Sequence, residues 1–252
     1  MDLCDYDLPA NPEVFITTHR QLNEEGQDHD IVLPDMLNEG QHRVYDYVLD
    51  AFANAIGGNK AVSDNVIVMG EGGVGKSFLI RAMEYGIWQF MIARCGRERY
   101  PTIRTAVKLA AFTGKAAFQV GGVTIHSLLN LRPNDKLQSL PAETLRRLQR
   151  DLKNTHFLFL DEMSMIGLKL LHAIDTRLRR IFPLNTDKSF GGLVVIMFGD
   201  FGQLPPVIID TPLYAVVTNQ SSPTLQAASR LYRESFSQVF ELTQQMRQQG
   251  IT

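Results

Sequence analysis

A lysine and a hydroxyl at the end of a glycine-rich run are the first residues here whose types and spacing could do chemistry. The run Gly70-Glu71-Gly72-Gly73-Val74-Gly75-Lys76-Ser77 fits the pattern G-x-x-x-x-G-K-[ST]. Gly70, Gly72, Gly73 and Gly75 let backbone N–H groups, that of Val74 among them, curl around an anion, and a helix starting behind them adds its positive end. Lys76 has the reach to meet the β- and γ-phosphates of a nucleoside triphosphate, and the Ser77 hydroxyl can ligate Mg2+. A second constellation is the acidic pair Asp161-Glu162, directly after the apolar run Phe157–Leu160. Asp161 is expected to hold the same Mg2+, and Glu162 to orient and polarise an attacking water. Such a pair can also cap a following helix, and the phosphate loop is what tips the balance toward chemistry. The third is Gly199-Asp200-Phe201-Gly202-Gln203-Leu204-Pro205-Pro206, a loop stiffened by prolines, in which the Gln203 amide is suited to sense a γ-phosphate or its water.

These groups work only if strands and helices bring them to one edge. Asn65 to Met69 is a short apolar, β-branched run of the kind a buried parallel strand needs, and Ser77 to Phe90 has helical apolar spacing (Leu79, Ile80, Met83, Ile87, Phe90). Further strands are expected over Thr105–Phe112, Phe157–Leu160, Leu193–Phe198 and, more weakly, Ser237–Leu242. Helices are expected over Asn38–Ala55, Leu168–Ile181 and Leu225–Ser235, with a polar insertion at 128–154 carrying one helical piece, Ala142–Leu152. Strands apolar on both faces and separated by helices read as an α/β fold, a mainly parallel sheet with helices on both faces. Residues 1–35 are acidic and proline-containing, and read as an extended or disordered lead-in.

At 252 residues and 44% hydrophobic content the chain can bury a sizeable core. A net charge of −2 gives no global attraction to nucleic acid, so any such site must be local. Cys4 and Cys95 lack metal or disulfide spacing and fit a reducing compartment. No run is long and apolar enough to span a membrane, and the expectation is a soluble intracellular protein.

With these motifs in order, the chain resembles the superfamily 1B DNA helicases, the Pif-type and RecD-like group. Leu37-Asn38-Glu39-Gly40-Gln41 is similar to their adenine-reading Q-motif, with Gln41 as the reader. Phe112-Thr113-Gly114-Lys115-Ala116-Ala117 resembles motif Ia, and Gly122-Val123-Thr124-Ile125-His126-Ser127 the downstream segment that touches single-stranded DNA. Leu242-Thr243-Gln244-Gln245-Met246-Arg247-Gln248 resembles motif IV, placing Arg247 at the γ-phosphate. Phe190-Gly191-Gly192-Leu193 before the proline-stiffened loop is similar to Pif-like helicases, including those of Helitron transposases.

The resemblance implies a RecA-like P-loop domain over residues 36–252, with ATP and Mg2+ driving 5′-to-3′ movement on single-stranded DNA. It also implies a second motor domain with motifs V and VI, so this chain is expected to be the first motor domain of a longer protein. Contacts with single-stranded DNA would come from Phe112, Thr113, Gly114, Lys115, Thr124, His126 and Phe201, since such channels combine basic residues with aromatic platforms. Phe112 and Phe201 are as well suited to core packing, and Trp88 is expected in the core. The basic cluster Arg146, Arg147, Arg150 and Lys153 reads first as a solvated helix face. Two rival functions stay open: a nucleotide-gated DNA-binding module without hydrolysis of its own, and a P-loop kinase of a small metabolite.

Overall fold

The computed structural model describes residues 32–56, 65–95, 104–132, 139–206 and 210–246. Residues 1–31 of the lead-in, with Cys4, residues 133–138 of the insertion and Arg247 lie outside the described residues. Helix α1 (Glu39–Ile56) precedes β1 (Val66–Met69) and α2 (Lys76–Cys95); β2 (Val107–Ala111), α3 (Gly114–Gln119), β3 (Val123–Thr124) and α4 (Ile125–Leu128) follow. Then come α5 (Ala142–Leu152), β4 (Phe157–Asp161), α6 (Leu168–Ile181), β5 (Val194–Gly199), α7 (Pro223–Ser235) and β6 (Gln238–Glu241).

The strands form one six-stranded sheet in the order β3-β2-β4-β5-β1-β6, and every neighbouring pair is parallel. A parallel sheet must be covered on both faces, and strand alternation shows how this is done. Leu109, Phe159, Ile196 and Val66 stand side by side across four strands. They share a core with Val44, Val48 and Phe52 of α1 and Leu79, Met83 and Ile87 of α2. One residue along, Ala110, Leu160, Met197 and Ile67 form the next row. That row faces the other way, into a core with Leu148 of α5, Leu171, Ile174 and Leu178 of α6, and Ala228 of α7. The parallel α/β architecture expected from the apolar runs is therefore present.

Three differences from the sequence reading have local causes. The two-residue strand β3 was not anticipated; it owes its place to pairing of Val123 and Thr124 with Ala110 and Ala111, and not to any apolar run of its own. Strand β2 starts at Val107 because Arg104–Ala106 forms a 3-10 turn. Helix α2 runs five residues past Phe90 to Cys95, with Trp88 and Tyr85 buried together as the packing expectation required. On α5, Leu148 and Leu152 are buried while Arg146, Arg147, Arg150 and Lys153 face solvent.

Helix α6 begins after Gly167, which has no side chain with which to cap it. The Asp210 carboxylate does so from across the fold, accepting from the backbone N–H groups of Lys169 and Leu170 at 2.9 Å each. No described helix is long and apolar enough to cross a membrane.

Candidate active site

Because all six strands run the same way, all their carboxyl ends open on one edge, where open α/β sheets bind ligands. The glycine-rich loop leaves β1 there, flanked by β5 and β6. Gly73 and Gly75 have φ of 93° and 82°, conformations that aim successive backbone amides inward and that a side chain would strain. Helix α2 starts at Lys76 itself. The Lys76 ammonium folds back over the loop and donates to the carbonyls of Gly70 at 2.5 Å and Glu71 at 2.8 Å. Ser77 is exposed in the first helical turn.

The loop is braced from outside. At the start of α1, Asn38 and Gln41 form a reciprocal cap: the Gln41 backbone N–H donates to Asn38 Oδ1 at 2.9 Å, and the Asn38 N–H to Gln41 Oε1 at 3.0 Å. Gln41 Nε2 then donates to the carbonyls of Val74 (3.2 Å) and Gly75 (3.3 Å). Gln41 is 0% exposed. Its amide hydrogens and its carbonyl are all engaged, so adenine reading by this side chain would require it to leave those partners. In this geometry Gln41 locks helix to phosphate loop, a role the N-x-x-Q spacing announces and the sequence reading passed over. Met246 completes the brace, its N–H donating to Gly73 O at 3.0 Å while its sulfur accepts from Asn38 Nδ2 at 3.3 Å.

The acidic pair ends β4. Asp161 Oδ1 accepts from the Glu162 N–H at 2.9 Å. Burial pushes the Asp161 carboxyl above its usual range, opposed by that N–H and by the positive charge of Lys76. Glu162 has φ 56° and ψ 46°, left-handed backbone that a non-glycine residue seldom adopts. Its Oε2 accepts from the Thr113 hydroxyl at 2.7 Å and the Thr113 N–H at 3.3 Å. Glu162 and Gln203 line one cleft of about 440 Å³, with Ser164, Met165, Gly202 and Leu204. Gln203 is exposed on a turn closed by Asp200, whose carboxylate accepts from the Gly202 N–H at 2.8 Å and whose carbonyl accepts from the Gln203 N–H at 3.0 Å. Asp200 and Ser164 lie within the sequence motifs but carry no role there, and Met165 lies outside them; the β4 and β5 ends meeting in space brings Ser164 and Met165 into the cleft.

Of the residues expected on a single strand, Gly114 and Lys115 are exposed, and Phe112 packs edge-on against His126 at 5.7 Å. Partial burial lowers the His126 pKa from its usual value, favouring the neutral ring. Phe201 meets Tyr214 edge-on at 5.4 Å. Thr113 and Thr124 both cap short helices, accepting from the N–H groups of Ala116 and Ser127 at 3.2 Å. Arg247 lies outside the described residues. The Ser77 hydroxyl and Asp161 carboxylate are hard oxygen donors of the kind Mg2+ takes. Among the described residues no three His, Cys, Asp or Glu side chains cluster for a metal, so an ion here would depend on phosphate oxygens and water for its remaining ligands.

A parallel sheet with a phosphate loop after β1 and an acidic pair after β4 defines a P-loop NTPase domain of RecA-like fold. The PIF1-like helicase family matches residues 36–252, and the chain belongs to that family. It is 33% identical over 191 residues to the ATP-dependent DNA helicase PIF1 of Saccharomyces cerevisiae, covering 74% of this chain and 20% of the relative. It is 27% identical over 239 residues to the Candida albicans ATP-dependent DNA helicase PIF1, covering 91% of this chain and 23% of the other. Among solved structures, the Candida albicans Pif1 helicase superposes with a TM-score of 0.60 at 25% identity, covering 85% of this chain and 41% of that one. A Bacteroides Pif1 helicase in complex with ADP-AlF3 and ssDNA gives 0.55 at 27% identity, covering 88% and 44%. The chain thus spans about a fifth of these curated relatives and two fifths of these solved chains.

Proposed function

We propose that this chain is the first ATPase motor domain of a Pif-type DNA helicase, using Mg2+ and ATP to drive 5′-to-3′ movement along single-stranded DNA with a second motor domain. The observation that carries this reading is the meeting of Glu162 and Gln203 in one cleft at the sheet edge that also bears the phosphate loop. The amides of Gly70–Gly75 and the Lys76 ammonium would hold the phosphates, Lys76 exchanging its two carbonyl partners for phosphate oxygens. Ser77 and Asp161 would hold Mg2+, which supplies charge neutralisation across the β- and γ-phosphates when bound. Glu162 would take the proton of the attacking water, and Gln203 would sense the γ-phosphate from across the cleft. Arg247 is assigned to the γ-phosphate on the family pattern. Single-stranded DNA would lie over Phe112–Lys115, Thr124, His126 and Phe201.

The support from relatives is chemical as well as architectural: one solved Pif1 holds a phosphoryl-transfer mimic and a single strand together. The test is Mg2+-dependent ATP hydrolysis with and without oligothymidine, on the chain alone and joined to a second motor domain. Hydrolysis raised by the oligonucleotide in the joined form is the expected result; phosphoryl transfer to a nucleoside without any DNA effect would install the kinase reading. ATP binding without turnover in both forms would leave a nucleotide-gated DNA-binding module.

A further inference from the structure

Strands β2 and β4 pair in a register that sets Ala111 opposite Asp161. The residues that follow each, Phe112-Thr113 and Glu162, therefore leave the sheet side by side. The Thr113 hydroxyl has one proton, and it goes to Glu162 Oε2 at 2.7 Å; the Thr113 N–H points to the same oxygen at 3.3 Å. The hydroxyl oxygen meanwhile accepts from the Ala116 N–H at 3.2 Å, at the N-terminus of α3. One side chain thus fixes both the start of α3 and one oxygen of the carboxylate, leaving Oε1 for a water. The next two residues, Gly114 and Lys115, are exposed. Glu162 itself sits in left-handed backbone, a conformation that persists only where surrounding contacts enforce it.

We infer that Thr113 is a positioning residue, coupling the loop that meets the single strand to the carboxylate that activates water. This rests on the helicase reading above. A strand seated on Gly114 and Lys115 presses on the segment whose first residue holds Glu162, so the aim of Oε1 follows the occupancy of the loop. Thr113 belongs to the coupling between DNA and turnover, and not chiefly to the affinity for DNA.

The test is steady-state ATP hydrolysis, with and without saturating oligothymidine, by the protein joined to its second motor domain. Thr113→Val removes the donor and the cap; Thr113→Ser keeps both; Thr113→Asp keeps a cap acceptor but cannot donate to Glu162. The ratio of DNA-stimulated to basal kcat should fall about tenfold in the Val and Asp variants and be retained in Ser. The KM for ATP should stay in place, and any rise in the half-stimulating DNA concentration should not account for the fall, which persists at saturating DNA. An unchanged ratio in Val, or a ratio restored by Asp, removes the coupling role. Weakened DNA affinity with the wild-type ratio at saturation would make Thr113 a simple contact and overturn the inference as well. Wild-type protein without any DNA stimulation would instead sink the helicase reading, and this inference with it.

Discussion

The phosphate loop and the Thr113–Glu162 pair lie on the same sheet edge but are held in different ways. The loop is clamped by backbone and buried side chain from several sides: Gly70 N–H to Gly199 O at 3.1 Å, Met246 N–H to Gly73 O at 3.0 Å, and the fully buried Gln41 amide on Val74 and Gly75. Glu162, two strands away, is held by a hydroxyl and an N–H at the rim of an open cleft. Buried hydrogen bonds with many partners change little without breaking, whereas a part-exposed pair can be re-aimed by what binds beside it. On the proposed function, phosphate binding would belong to the rigid region and water activation to the adjustable one.

If that contrast holds, the largest effect should come from Glu162→Gln. Turnover should drop by about 10²- to 10⁴-fold while ATP affinity, read by equilibrium binding, stays within a factor of a few. Retained turnover would take Glu162 out of the chemistry.

Gly75→Ala attacks the rigid side. Its φ of 82° disfavours any side chain, and a Cβ there would sit 2.5 Å from Gln41 Nε2 and 3.2 Å from Met246 Cγ. Thermal unfolding should show a loss of about 1–3 kcal/mol, together with weakened ATP binding. A variant as stable as the parent would show that the brace is slack.

Gln41→Ala sharpens the same point more gently. The Val74 carbonyl would lose its side-chain donor and the Asn38 N–H its acceptor, while the Gly75 carbonyl keeps the Leu79 N–H at 3.0 Å; a buried polar group left unmet costs about 1–3 kcal/mol. Because the amide serves the loop, affinities for ATP and GTP should fall together. A loss confined to ATP would show that Gln41 leaves the loop and reads adenine.

The smallest effect is a pH dependence of stability. Partial burial lowers the pKa of His126 and, through the side of its ring that packs 6.0 Å from that of Phe52, of the otherwise exposed His156. A histidine with a depressed folded pKa binds fewer protons folded than unfolded, so its stabilisation is present above the ordinary value near 6.5 and is lost as pH falls toward the folded value. The melting temperature should decline between pH 7 and pH 5, and His156→Gln should flatten that slope; an unchanged slope would assign the decline to other groups.

What the sequence made legible follows from locality. Strands β1, β4 and β5 were readable because each is an unbroken apolar run that only a doubly covered sheet can bury. The phosphate loop was readable because its chemistry is contiguous, Gly70 through Ser77. Strand β3 was not, since two residues carry no period and its pairing is supplied by β2. The bond from Thr113 to Glu162 spans 49 residues and depends on a register that no local pattern encodes. Gln41 shows an intermediate case: the motif was visible, yet whether its amide faces a base or the loop is decided by packing alone.

Strand β1 sits between β5 and β6, the last two of the described strands in chain order. Asn65, the residue just before β1, is buried and accepts the Val195 N–H from 130 positions further along. During synthesis the phosphate loop therefore emerges before both of the strands that flank it and can be set in place only once they are delivered. Folding that depends on such distant pairing is slow and leaves apolar strands exposed meanwhile. The ability to bind nucleotide should thus mark a completed fold, so that nucleotide protection against proteolysis would report arrival of β6 at the sheet edge.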